Sequence, residues 1–310
     1  MNETIDWLLR DSDPALEYQV RRDLLSEPVS HLEKIRKRIP ESGWVRSLLD
    51  RRKANGHWGE GAYNPKWTCT HYVLYELCQL EAPGDLETCR ESARLLLSCP
   101  EGLDGGINYA RTVEYSDVCV NGMLLTIAGH FGLERGEAER LIDYLLRVGM
   151  ADGGWNCEYL RGGTHSSLHT TIAVVEGLGT WLHAGKGYRE DEILVALAGG
   201  VEFILRHSLY KSERTGETIR DEFFRFFFPV RWKYDILRCL DLFRKLGLPF
   251  DGRMGEALAK VAEAASKSGR WKASSQPGKT YFMTEKNGAE GRWNSLRALR
   301  VLERYSRSAP

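Results

Sequence analysis

The strongest constraint on this chain is a pattern that recurs along most of its length. A helix closes on paired aliphatic residues: Leu48-Leu49, Leu96-Leu97, Leu145-Leu146 and Ile204-Leu205. Turns follow at Asn55-Gly56-His57-Trp58, Asp104-Gly105-Gly106-Ile107 and Asp152-Gly153-Gly154-Trp155, and later at Ser268-Gly269-Arg270-Trp271. After a loop, a second helix is expected at Trp67-Thr68-Cys69, Asp117-Val118-Cys119, His169-Thr170-Thr171, Arg231-Trp232-Lys233 and Arg292-Trp293-Asn294. Trp67 to Asp117 is 50 residues and Asp117 to His169 is 52. The later steps are longer, with a charged insertion around Lys211 to Arg220. A period of this length holding two helices marks an array of helical hairpins, each needing its neighbour to cover an apolar face.

The chain is therefore expected to be all-α, with five hairpins, or six if the N-terminal residues add one. Residues 1–40 read as a helical flank: Asp13-Pro14 is a helix start, and Leu16, Val20, Leu24 and Leu25 follow at helical spacing. Residues 41–310 form the main domain. The second helices, such as Met123 to Ala128 and Ile172 to Val175, are apolar nearly all round and should be buried. The first helices, Glu134 to Arg147 and Glu190 to Arg206, carry more charge and suit an outer layer. Buried inner helices within charged outer ones describe a double-layered helical barrel, an α/α toroid. Its glycine loops would gather at one end, and the inner-helix entrances would face a central cavity.

Composition removes several functions. Lys plus Arg equals Asp plus Glu, 43 each, so no basic excess points to nucleic acid. No apolar run is long enough to span a membrane. Met1 to Asp6 lacks the basic start and apolar middle of a signal peptide. The seven cysteines, at 69, 78, 89, 99, 119, 157 and 239, are odd in number and dispersed, unlike a disulfide framework. A reducing cytoplasmic setting is expected.

Chemistry-bearing residues crowd the inner-helix entrances. Thiolate, imidazole and carboxylate make a normal zinc set. Asp117, Cys119 and His169 form one such set. Cys157, His165 and His169 form another, and the shared His169 would let them be halves of one site. Without a metal, Cys157 or Cys119 is a candidate nucleophile with a histidine base, and Cys157 with His165 is the catalytic pair expected. As plain structure, Asp117 is a helix cap and the cysteines are small core residues. Tyr63, Trp67, Tyr115, Tyr159, Trp232, Tyr234 and Trp293 fall near the same entrances, where they either pack loops or wall an apolar cavity. The run Phe223 to Pro229 is expected in the core, with Arg225, Arg231 and Lys233 available to an anion.

The glycine-tryptophan turns and helical pairs over residues 41–306 resemble the squalene-cyclase and protein-prenyltransferase superfamily, whose fold is the α/α toroid. Asp117-Val118-Cys119 followed one repeat later by His169 is similar to the zinc motif of prenyltransferase beta subunits. The resemblance implies zinc held by Asp117, Cys119 and His169, and diphosphate binding by Arg111. Glu114 stands where the family has lysine and Val120 where it has tyrosine, and the Asp-x-Asp-Asp acid of the cyclases is absent. The implied function is an enzyme with a zinc site in the toroid cavity, prenyltransferase-like or terpenoid-cyclase-like. It would transfer an isoprenoid from a diphosphate to a thiol. Two alternatives are a metal-free cyclase or lyase acting on a hydrophobic ligand, and a non-catalytic toroid binding module. A hydrophobic or isoprenoid small molecule is the expected partner. The second helical subunit of the prenyltransferases has no equivalent in this chain.

Overall fold

The computed structural model describes residues 2–110 and 112–306, and these are mostly helical. Four short helices come first: α1 (Asn2–Leu9), α2 (Pro14–Asp23), α3 (Val29–Arg38) and α4 (Gly43–Leu49). Helices α5 (Thr70–Gln79), α6 (Glu87–Leu97), α7 (Val118–His130), α8 (Arg135–Arg147), α9 (Leu168–His183) and α10 (Glu190–Arg206) follow. The chain ends with α11 (Ile236–Lys245), α12 (Gly255–Glu263) and α13 (Arg292–Ser306). The one regular sheet among the described residues is a two-residue antiparallel pair, Trp271 opposite Gly291 and Lys272 opposite Glu290. No described helix is long and apolar enough to cross a membrane.

Local chemistry sets the helix ends. Asp13 accepts the Ala15 N–H and Pro14 occupies the first turn, so α2 starts where the Asp-Pro signal places it. Glu134 and Glu137 form a capping box on α8. The expected second-helix starts hold to within a few residues for α5, α7, α9 and α13. The fourth does not: Arg231-Trp232-Lys233 precedes α11, which begins only at Ile236. Pro229 disfavours helix at the residue before it. Asp235, whose carboxylate accepts the Arg238 N–H at 2.7 Å, then caps the real start. The charged insertion is an exposed turn in which Lys211 and Thr218 form an isolated bridge.

Alternate helices divide by burial. In α7, every residue from Asn121 to Gly129 is buried, and α9 is buried from Thr170 to Val175. In α6 and α8 only one stripe is covered, such as Ala138, Leu141, Ile142 and Leu145. Helices α7 and α9 approach closely because glycine faces backbone. A Cβ on Gly177 would lie 2.4 Å from the Gly122 carbonyl oxygen, and one on Gly122 would lie 2.8 Å from that of Ala173.

One hydrogen-bond device ties each turn to both of its helices. The indoles of Trp58, Trp155 and Trp271 donate to the carbonyls of Leu48, Leu145 and Val261, each ten residues earlier, at 2.7, 2.8 and 2.7 Å. The backbone N–H of the same tryptophans donates forward to Thr70 Oγ1, Thr171 Oγ1 and Ser295 Oγ at 3.0, 3.0 and 2.9 Å. Ile107 repeats the second bond with Asn121 Oδ1 at 2.9 Å. In each turn the glycine before this anchor, Gly56, Gly105, Gly153 or Gly269, has φ between +71° and +93°, the left-handed region that favours glycine.

The second and last helices also meet. Arg300 of α13 donates to Gln19 and Asp23 of α2, and Gln19 Nε2 donates to the Gln79 carbonyl at the end of α5. Leu16 and Val20, on the segment read as a flank, belong to the same apolar cluster as α5 to α13. Thr171→Val should test the turn device. It keeps shape but leaves the buried Trp155 N–H without an acceptor, which costs about 1–3 kcal/mol. Urea unfolding should show this loss, whereas Thr171→Ser stays near wild type.

Candidate functional site

The acceptor register sets a common height at the helix entrances. Cys119 and His169 each stand two residues before their repeat's acceptor, Asn121 and Thr171. Asp117 is the N-cap residue of α7, yet its side chain makes no cap bond. Its carboxylate is reached by solvent but crowded by protein, and this desolvation raises its pKa against the lowering charges of Arg161 and Lys66.

Two thiols meet at this entrance. The Cys119 N–H, in the first turn of α7, donates to Cys157 Sγ at 3.4 Å. The Thr170 hydroxyl donates to the same sulfur at 3.5 Å and accepts the Cys157 N–H at 3.3 Å. The Cys119 thiol hydrogen bond is the largest influence on Cys157 and holds its pKa below the ordinary thiol value. Burial opposes this, and the Thr170 hydroxyl and Cys119 N–H add to the lowering. Cys119 moves the opposite way: its bond to Cys157, then burial, pushes its thiol well up. One sulfur keeps the proton so that its neighbour can carry the charge. Both side chains remain partly accessible.

Aromatic rings stand beside the pair. Tyr63 hydrogen-bonds Tyr72 through their hydroxyls at 3.1 Å and lies 5.5 Å from the Tyr109 ring. His71, fully buried, contacts Tyr109 Oη through Nδ1 at 3.3 Å, while its Nε2 has no hydrogen-bond partner. Burial, with the Arg231 charge, brings the His71 pKa down to about 3. Of the other aromatic candidates, Trp67 packs edge-on to Tyr72, and Trp232 lies against His169. Trp293 stacks on Phe228, and Tyr234 is buried with its hydroxyl on the Leu209 carbonyl.

The remaining expected site residues lie apart from the thiols or outside the description. His169 Nδ1 accepts the Tyr234 N–H at 2.8 Å, and its Nε2 faces Glu222 at 3.7 Å. The His165 side chain is exposed, and its carbonyl accepts from Asn156. Arg111 lies outside the described residues, and Glu114 is exposed. Among the described residues, no three His, Cys, Asp or Glu side chains group as a metal ligand set. His169 supplies the physical reason. With its Nδ1 lone pair engaged, the neutral ring carries its proton on Nε2, so neither nitrogen is free to ligate. As placed, His169 turns its ring nitrogens to Tyr234 and Glu222 and not to Asp117 and Cys119.

A cavity of about 910 Å³ lies near the C-terminal ends of α7, α9 and α11, lined by His130, His183 and Lys245 at those ends and by Trp293, Phe228 and Leu246. Within its lining, Arg238 donates to Glu176 at 3.0 Å and to the Tyr75 hydroxyl at 2.8 Å, and Tyr75 donates to the same carboxylate. Arg238 Nε is buried without a partner. Burial alone would raise the Asp241 carboxyl, but Arg300, Arg244 and Arg297 outweigh it and hold the pKa well below the usual range. The lining has seven Arg or Lys against four Asp or Glu. Helix C-termini contribute about half a negative charge each, so this excess is largely offset and the cavity is not a strong anion trap. The Arg238 charge reaches Cys119, which links the cavity electrostatically to the thiols.

Sequence reasoning did not single out His71, Thr170, Tyr109, Glu176 or Arg238. Thr170 had one available signal, since it stands next to the anchor acceptor Thr171. No family model and no curated protein matches this chain.

Buried histidines predict the acid response. The pKa values of His71, His130 and His169 are brought down to about 3, 4 and 4, each chiefly by burial. Between about pH 6.5 and pH 4 the unfolded chain binds protons that the folded chain does not, so stability is lost as pH is lowered through that range. Each histidine should contribute a slope approaching about 1.4 kcal/mol per pH unit. Urea midpoints at pH 7.5 and pH 5 measure it. His169→Asn should flatten the profile, and an unchanged slope would contradict the assignment.

Proposed function

We propose that this chain is an α/α-toroid enzyme of the prenyltransferase and cyclase type, with a thiol centre at the inner-helix entrances. Its substrate would be a hydrophobic small molecule with an electrophilic carbon. The toroid reading is supported by the alternation of buried and one-faced helices, and by α2 bonding to both α5 and α13. The observation that carries the functional reading is the pair of donors on Cys157, the Thr170 hydroxyl and an N–H from the first turn of α7; the neighbouring Cys119 thiol lowers its pKa further. The thiolate is the nucleophilic form of cysteine, and helix N-termini and neighbouring donors stabilise it.

The step follows from this division of protons. Cys157 sulfur bonds to the electrophilic carbon as the leaving group departs with its bonding electron pair. Cys119, which retains its proton, donates to that sulfur; the departing group takes its proton from solvent, and a substrate thiolate then attacks the same carbon and releases Cys157 thiolate with the bonding electron pair. Tyr63, Tyr109 and Trp232, all partly accessible, offer apolar faces to the substrate body. An isoprenoid is the electrophile that the family resemblance implies.

Selective alkylation tests this reading. Iodoacetamide near neutral pH should label Cys157 first, and Thr170→Val should slow that labelling several-fold. Labelling spread evenly over the accessible cysteines would remove the thiol centre. Metal analysis gives the competing result. Equimolar zinc in the purified protein, lost in His169→Ala, would restore the ligand set Asp117, Cys119 and His169 in place of the nucleophile. Unaltered binding of a captured ligand after alkylation of Cys157 would favour the binding module.

A further inference from the structure

We infer that Cys119 and Cys157 form a reversible disulfide that switches off the thiol centre. The inference rests on the reading of Cys157 as the nucleophile and adds a means of controlling it. Both cysteines are free and partly accessible, and they stand on different elements whose polar atoms already touch: the Cys119 amide is 3.4 Å from Cys157 Sγ. A disulfide requires its two Cβ atoms about 3.5–4.5 Å apart. Cys119 is fixed in the first turn of buried α7. Cys157 starts a loop in which Glu158, Leu160, Arg161, Gly162, Thr164 and His165 are exposed. That loop can therefore absorb the adjustment from a sulfur hydrogen bond to a covalent bond.

The other cysteines lack this arrangement. Cys69, Cys78, Cys89 and Cys239 are buried, and half-buried Cys99, just past the end of α6, donates to the Leu95 carbonyl. Oxidation should consequently select one pair.

The oxidant is a small-molecule disulfide such as oxidised glutathione. Cys157 thiolate attacks one of its sulfurs. A mixed disulfide forms and one glutathione thiolate leaves with the electron pair of the broken bond. Cys119 then loses its proton to solvent and attacks Cys157 sulfur, releasing the second glutathione thiolate. Two protein thiols are oxidised and one glutathione disulfide is reduced to two thiols. The product has no nucleophile, and dithiol reductants reverse the sequence.

The full chain should be equilibrated across a series of reduced to oxidised glutathione ratios, quenched with a thiol-alkylating reagent, and mapped by peptide mass spectrometry. The expected result is one Cys119–Cys157 linked peptide, two hydrogens lighter than the free pair, that returns to the dithiol on reduction. The five other cysteines stay alkylatable after unfolding. Cys119→Ser should instead accumulate the glutathione adduct on Cys157, because no second thiol resolves it. The switch is overturned if wild-type protein keeps both thiols free at every ratio, or if the adduct persists on Cys157 with Cys119 present. Selective alkylation of reduced Cys157 is read separately. A fast-reacting Cys157 without the linked peptide would leave the thiol centre standing and remove only the switch.

Discussion

The structure depends on the bond from the turn backbone to a side chain inside the following helix. Thr70, Asn121, Thr171 and Ser295 differ in chemistry but share one task, accepting the N–H of the residue that anchors the turn. A buried N–H without a partner is expensive, so this bond fixes the loop against the helix more firmly than apolar contact alone. In three repeats the same anchor is a tryptophan whose indole reaches back to the preceding helix. Preceding helix, turn and following helix are thus clamped at one residue, and the intervening loop is free to vary. The spacing from anchor to acceptor grows from Trp58–Thr70 to Trp271–Ser295 without loss of the bond.

That freedom is what builds the candidate site. Cys157 lies two residues after the Trp155 anchor and Thr170 one residue before the Thr171 acceptor, so both are held at the clamp while the loop between them is exposed. Cys119 stands two residues before the Asn121 acceptor of the preceding repeat. Close contact of α7 and α9 through Gly122 and Gly177 then brings the two clamps side by side. The charge pattern follows from position: a helix N-terminus and two donors face one sulfur, and the other sulfur keeps its hydrogen.

Much of the fold was legible in the sequence because its cues are local. Paired aliphatic residues, positive-φ glycines and buried apolar helices report on their own neighbourhood, and the helix ends at Leu49, Leu97 and Arg147 lie at or within two residues of the ends expected. The late start of α11 was hidden. The Arg231-Trp232-Lys233 triplet looks like the other openings, and only the buried phenylalanine run and the Asp235 cap move the boundary. For the site, Asp117, Cys119, Cys157 and His169 were recognisable as residue types at an entrance. Their pairing was not, because it turns on where each side chain points: His169 to Tyr234 and Glu222, Cys157 to Cys119. Arg238 and Glu176 were illegible for the same reason, since 62 residues separate two halves of one ion pair.

The contact between α2 and α13 has a consequence for how the molecule is made. Arg300 reaches Asp23 and Gln19 across nearly the whole chain, so the earliest helices cannot complete their packing until the last has left the ribosome. During synthesis, Leu16 and Val20 would present an open apolar edge.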